Sequence, residues 1–244
     1  MTREELLRAP ITPIGAPGYQ MGKYYFKNRE FLNILFRTDI EAIRKIVPEP
    51  LEIEDPLVRF EVINMPDSYN LGNYCESGLT VKVNYKGEKG EYVHSMYLNN
   101  VPAILSGREA AAFPKKEGSP RLFVEGAALM GTLDYGSTRI ATASMVYKHR
   151  EMDKEEALKE ITVPSYMLKT IPGYDRSLRI CELTRSQITD IEILGAWTGP
   201  ARLQFFQHVL APMADLPVKE IVGASHIITN MSLGVPEVIV DYLK

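Results

Sequence analysis

The feature that most constrains this chain is a succession of short runs rich in β-branched and aromatic residues, several of them separated by glycine-containing breaks. Residues 57–65, 80–85, 92–98, 138–146, 188–193 and 218–228 have this character, and their partial apolar–polar alternation marks them as strands. The breaks include Tyr85-Lys86-Gly87-Glu88, Asp134-Tyr135-Gly136-Ser137 and Trp197-Thr198-Gly199-Pro200. Spacings this short join antiparallel neighbours and leave no room for the crossover helix that links parallel ones. Three short helices are expected from their caps: Thr2 with Glu5, Thr38 with Glu41, and Asp153 with Glu156 follow or resemble the capping-box spacing. The middle helix is expected over 39–47, with Ile40, Ile43 and Val47 on one face and Pro48 and Pro50 ending it, because proline cannot continue a helix. The expected fold is α+β and predominantly antiparallel β. We expect a sheet curled into a cone-like β-barrel with a few peripheral helices, closure hiding the strand edges.

No internal repeat or low-complexity linker interrupts the 244 residues, so a single domain over 1–244 is expected, a size that all-β and barrel domains often reach undivided. The net charge of −3 and a pI near 5.9 argue against nucleic acid as a partner, since no basic excess exists to neutralise phosphates. No run approaches the ~18 apolar residues of a membrane span. The opening Met1-Thr2-Arg3-Glu4-Glu5 lacks the layout of a signal peptide, which points to the cytoplasm. Cys75 and Cys181 then read as buried free thiols rather than a disulfide. The four histidines are scattered, with no metal-ligand spacing among them, so no metal site is expected.

Chemistry is concentrated at Phe113-Pro114-Lys115-Lys116. Apolar and small residues surround the lysine pair: Pro102-Ala103-Ile104-Leu105 and Ala110-Ala111-Ala112 before it, Leu122-Phe123-Val124 after it. A free lysine amine has a pKa of ~10.4, so only about one in a few thousand is neutral at pH 7. A neutral amine is a nucleophile for ketones, through a Schiff base. Two causes can neutralise Lys115. In an extended segment, adjacent side chains point to opposite faces, which puts the ammonium groups roughly 8 Å or more apart. At an effective dielectric of ~20, repulsion from Lys116 is then worth about 2 kcal/mol, or roughly 1.5 pKa units. Desolvation alone supplies up to ~3–5 units, so burial is the larger expected cause. The plain alternative is a solvated loop doublet, since lysines are mostly exposed.

Other residues carry weaker signals. Arg29, in Asn28-Arg29-Glu30 ahead of an expected strand, is either a surface residue or a planar clamp for a substrate carboxylate. In Arg59-Phe60-Glu61, a core-facing Phe60 puts Arg59 and Glu61 together on the opposite face. Tyr74-Cys75-Glu76-Ser77-Gly78 sets a further carboxylate beside a small turn. Met65, Met96, Met145, Met213 and Met231 fall in apolar stretches and serve equally as core filler or as pocket lining.

In order along the chain, these segments closely resemble the acetoacetate decarboxylase family over nearly the whole length. The matching stretches include Asn28-Arg29-Glu30, Val47-Pro48-Glu49-Pro50-Leu51-Glu52-Ile53, Val58-Arg59-Phe60-Glu61, Glu76-Ser77-Gly78, Pro114-Lys115-Lys116, Gly131-Thr132-Leu133-Asp134-Tyr135-Gly136 and Ala196-Trp197-Thr198-Gly199-Pro200. The resemblance implies that Lys115 is the Schiff-base nucleophile with Lys116 its neighbour, and that Arg29, Glu61 and Glu76 are pocket residues. Within that pocket we expect Arg29 to hold the substrate carboxylate, Glu76 to be the acid that protonates the enamine, and Glu61 to serve the substrate site by bracing Arg29. The resemblance also implies a cone-shaped barrel, a homo-oligomer of up to a dodecamer, a β-keto acid substrate, and neither metal nor organic cofactor. It likewise implies a lysine activated by desolvation or by a cationic neighbour. Two alternatives stay open at the level of sequence. One is a Schiff-base aldolase or dehydratase on the same scaffold. The other is a non-catalytic binder of small ligands, since barrel mouths are common ligand sites.

Overall fold

The computed structural model describes residues 1–244. Its strands are β1 (Tyr25–Arg37), β2 (Leu57–Ser68), β3 (Gly72–Tyr85), β4 (Glu88–Leu98), β5 (Lys115–Glu117), β6 (Ser119–Glu125), β7 (Ala128–Tyr135), β8 (Thr138–Val146), β9 (Arg150–Glu151), β10 (Ser165–Pro172), β11 (Leu178–Ser186), β12 (Ile188–Thr198), β13 (Ala201–Phe205), β14 (Glu220–Leu233) and β15 (Glu237–Asp241). Eleven form one sheet in the order β15-β11-β10-β4-β3-β2-β1-β14-β12-β9, with β5 beside β4; four form a second, β13-β8-β7-β6. Every strand run expected from sequence lies largely or wholly within one of these strands. The pairing is antiparallel except for β10 and β5, which each run parallel to β4. The α+β, mainly antiparallel class therefore holds. The closed barrel does not appear in the hydrogen bonding: the long path ends at β15 and β9, which do not pair.

The two sheets pack face to face over the main core. On β2, Val58, Phe60 and Val62 are fully buried toward it, each such side chain contributing about 1.5–3 kcal/mol through removal from water. Phe205 of β13 meets both Phe36 and Phe60 edge-on, with ring centroids 5.7 and 5.4 Å apart. The period of two then sends Arg59 and Glu61 to the other face of the long sheet, as the Arg59-Phe60-Glu61 pattern requires. That face carries the polar residues discussed below, bordered by a second apolar cluster that includes Phe26, Phe31, Met65 and Tyr74.

The helices are short. In α1 (Arg3–Leu7), Thr2 and Glu5 form the expected reciprocal capping box. In α4 (Lys154–Ile161), the Asp153 carboxylate accepts from the amides of Glu155 and Glu156. The middle helix, α2, departs from expectation. It spans only Ile40–Arg44, with Asp39 as its N-cap and no capping hydrogen bond. Asp39 pairs instead with Lys219, and the Thr38 amide that a Thr38–Glu41 box would cap donates to Pro56 O at 3.0 Å, leaving Thr38 Oγ1 without a partner. A further helix, α3 (Val101–Ser106), runs into a π-helical turn over Gly107–Ala111. Neither was foreseen, because the short Pro-Ala-Ile-Leu run carries no helical period to detect.

Candidate active site

The π-turn delivers the lysine. Asn100 caps α3 by accepting from the Ala103 amide at 2.9 Å. After the turn the chain reverses at Ala112, whose φ of 77° is left-handed, a conformation uncommon outside glycine. It then enters the three-residue strand β5, where Lys115 lies opposite Met96 of β4. Isolated π-turns recur at functional positions. Here the turn is anchored by Arg108, which donates to Lys115 O at 3.1 Å, and by Lys169, which donates to Glu109 O at 2.6 Å.

Lys115 is 6% exposed and Glu76 2%. Their Nζ and Oε2 atoms lie 2.9 Å apart, yet out of line for a hydrogen bond, and Oε2 accepts no hydrogen bond. The Phe113 ring sits 5.2 Å from Nζ. Glu76 belongs to the middle of β3, opposite Ile63 and Leu98, not to the turn expected from Glu76-Ser77-Gly78. Gly78 serves that strand by its lack of a side chain: a β-carbon there would stand 3.1 Å from Glu61 Oε1.

Arg29 lies inside β1 rather than ahead of it. The extra residue at Asn28, with φ 52°, makes a bulge between Phe26 and Arg29 in the pairing with β14. Asparagine tolerates this region, and the bulge re-aims the next side chain, turning Arg29 inward. Its guanidinium stacks on Phe26 and Phe31, 5.1 and 4.7 Å from the ring centroids. Nη1 donates to Met231 Sδ at 3.3 Å while Nε is unpartnered. No ion pair joins it to Glu61, so the expected bracing of Arg29 by Glu61 is not made. Glu61 lines the same chamber, and burial, the largest influence on it, pushes its carboxyl up to about 7 despite the opposing charge of Arg59.

Lys116 is exposed and turned to the other side of β5. Its amine donates to Leu210 O at 2.7 Å and sits 4.9 Å from the centre of the Tyr135 ring. The structure thus brings Lys115, Glu76, Arg29 and Glu61 to one chamber and leaves Lys116 outside. The methionines divide as well: Met65 and Met96 line the chamber, Met231 holds Arg29, and Met145 and Met213 fill the main core.

Sequence reasoning missed a second buried ion pair in the chamber wall. Arg59 meets Glu91 at 2.8 Å, and Glu91 also accepts from Thr80 at 2.9 Å and pairs with Lys82. The available signal was the strand register, which sets Lys82 directly across from Glu91. The chamber, about 90 Å³, adjoins a larger and more apolar one of about 430 Å³ edged by Tyr24, Leu71 and Ala111. Phe26, Tyr74, Phe113 and Lys115 line both.

Fold and site together define a class: a mainly antiparallel α+β protein whose sheet face encloses a lysine–glutamate pair beside an uncommitted arginine. The acetoacetate decarboxylase family profile matches residues 8–243. The acetoacetate decarboxylase of Clostridium botulinum (strain Eklund 17B / Type B) is 56% identical, over 100% of both chains. A solved acetoacetate decarboxylase is 55% identical with a TM-score of 0.98, again over 100% of both. The crystal structure of the Legionella pneumophila enzyme is 43% identical with a TM-score of 0.93, covering 98% of this chain and 97% of that one. The chain belongs to the acetoacetate decarboxylase family.

Proposed function

We propose that this protein decarboxylates acetoacetate to acetone and CO₂ through a Schiff base on Lys115. The observation that carries the reading is the placement of Lys115 Nζ, 2.9 Å from Glu76, in a chamber where Arg29 has no carboxylate partner. The names of the full-length relatives supply the substrate.

Arg29 receives the substrate carboxylate, its planar fork matching two oxygens. An amine must give up its proton to attack a carbonyl, and Glu76 is placed to take it. Lys115 Nζ then bonds to the ketone carbon, and the carbinolamine loses water with the proton returned by Glu76. The resulting iminium accepts the electron pair of the breaking C–C bond, releasing CO₂ and leaving an enamine. A proton carried by Glu76 goes to the enamine carbon, and water then hydrolyses the iminium to acetone and free Lys115. Overall one proton is consumed per CO₂ released. The apolar wall of Phe26, Phe31, Met65 and Phe113 keeps bulk water from the iminium, which otherwise hydrolyses before the carboxylate leaves. Lys116 acts through its charge, from outside the chamber. Family membership and exposed apolar residues such as Val209 and Leu210 also support assembly as a homo-oligomer, which sedimentation velocity measures.

The deciding experiment is incubation with acetoacetate and borohydride followed by peptide mass mapping. One reduced adduct is expected, on Lys115, together with loss of CO₂ release in Lys115→Ala. Undiminished CO₂ release in that variant would remove the proposal.

A further inference from the structure

We propose that Glu91, by holding Arg59, withholds that guanidinium from Glu61 and from substrate, and so leaves Arg29 as the single unopposed cation of the chamber. The inference rests on the reading of the site given above and makes Glu91 and Arg59 positioning residues for it.

Three cations and three carboxylates line the chamber: Arg29, Arg59 and Lys115 with Glu61, Glu76 and Glu91. Two pairs are closed, Lys115 with Glu76 at 2.9 Å and Arg59 with Glu91 at 2.8 Å. Arg29 and Glu61 are left over and do not touch. Arg59 is the obvious partner for Glu61, two residues away on the same face of β2. It is pinned elsewhere: Nη2 also donates to Glu160 O at 3.1 Å. Glu160 is fixed in turn by Asn33 at 3.0 Å and Ser225 at 2.6 Å, on the side of a separate cavity of about 220 Å³ that Arg59 shares. Thr80 and Lys82 complete the coordination of Glu91. Burial would lift the Glu91 carboxyl, but the charges of Arg59 and Lys82 and the hydrogen bonds of Lys82 and Thr80 overcome it and hold Glu91 below the ordinary range.

The groups around Glu61 are therefore Arg29 from β1, Arg59 from β2, Tyr74, Glu76 and, behind Glu91, Lys82 from β3, Glu91 from β4, Lys115 from β5, and Glu160 from α4. None donates a hydrogen bond to the Glu61 carboxyl. A carboxyl partly withdrawn from water among apolar side chains, with no cation at contact, holds its proton to higher pH. While it does, Arg29 faces the incoming substrate carboxylate unopposed. Once Glu61 ionises, its charge competes with substrate for Arg29, and the Michaelis constant rises. A free Arg59 would ionise Glu61 early and also offer substrate a second, misplaced anchor.

The test follows the Glu61 titration by ¹³C-glutamate NMR, assigned by its disappearance in Glu61→Gln, alongside the pH dependence of KM for acetoacetate. In the unsubstituted protein the Glu61 transition is expected near 7, with the KM transition alongside it. In Glu91→Gln the released Arg59 turns to Glu61, and both transitions move down by about one pH unit or more, the effect of an opposite charge at contact. Arg59→Met combined with Glu91→Leu removes the pair together, leaves only Lys82, whose side chain is 30% exposed and turns to solvent, and keeps both transitions at or above their parent positions. That double variant and the parent also carry the test if Glu91→Gln does not fold. An unmoved Glu61 transition in Glu91→Gln, or a double variant whose transitions drop, overturns the proposal. Borohydride trapping on Lys115 tests the reaction separately, since the Glu61 titration is measured without substrate.

Discussion

The side chain of Lys115 lies across the α-carbon of Gly107, so closely that a β-carbon there would stand 2.5 Å from Lys115 Cδ and 3.3 Å from Nζ. The π-turn supplies the floor on which the reactive lysine rests, and only glycine leaves that floor flat. Gly107→Ala forces the lysine to shift, and a displacement of about 1 Å at a reacting group costs on the order of 10²-fold in rate. We expect a kcat reduced to that degree and slower borohydride trapping, with a melting temperature near that of the parent. Unchanged turnover in a folded Gly107→Ala protein would refute this.

Arg29 has no carboxylate partner within the protein, only Met231 Sδ and two aromatic rings. Arg29→Gln is expected to raise KM for acetoacetate by roughly ten- to a hundredfold, matching the 1.5–3 kcal/mol of a hydrogen bond to a charged group. Imine trapping with acetone, which lacks the carboxylate, should proceed as in the parent. Equal losses with both ketones would place Arg29 in the chemistry at nitrogen instead.

Lys116 turns away from the chamber, toward Tyr135 and Leu210 O. Its charge acts on Lys115 only at a distance and is screened by solvent and salt. Lys116→Ala is expected to lower kcat by less than about tenfold, the equivalent of one unit of pKa. A near-complete loss with intact folding would restore charge repulsion from Lys116 as a principal cause of Lys115 reactivity.

Glu61 links stability to pH. Its carboxyl rises from 4.5 to about 7 on folding, so the folded protein binds this proton more tightly than the unfolded chain. The corresponding stability is fully present below about pH 4.5 and is lost as pH rises to about 7, amounting to about 3 kcal/mol. In urea denaturation, Glu61→Gln should lack this loss. The stability of the parent relative to the variant should therefore decline between pH 5 and 8, and parallel curves would contradict the assignment.

Phe60 secures the opposite face of the same strand. Phe60→Ala is expected to cost about 3–5 kcal/mol, as for other buried aromatic residues cut to alanine. Since Arg59 and Glu61 depend on the placement of β2, the variant should also lose affinity for acetoacetate. Denaturation midpoints and KM measured together check both effects.

Much of this was legible in the residue order. β-branched runs broken by glycine announce antiparallel strands because strand geometry is local, and Arg59-Phe60-Glu61 states which side chains share a face because the period of a strand is two. The Pro-Lys-Lys doublet and the family motifs singled out Lys115, Glu76, Arg29 and Glu61. Tertiary structure decided the rest. The bulge at Asn28 turns Arg29 inward, the π-turn brings Gly107 beneath Lys115, and the register of β3 with β4 sets Glu91 within reach of Arg59 and Lys82. It also left the long sheet open in its hydrogen bonding and cut the middle helix to a single turn. Burial and charge pairing depend on atoms far apart in the chain, and no local pattern records which carboxylate a buried cation will choose.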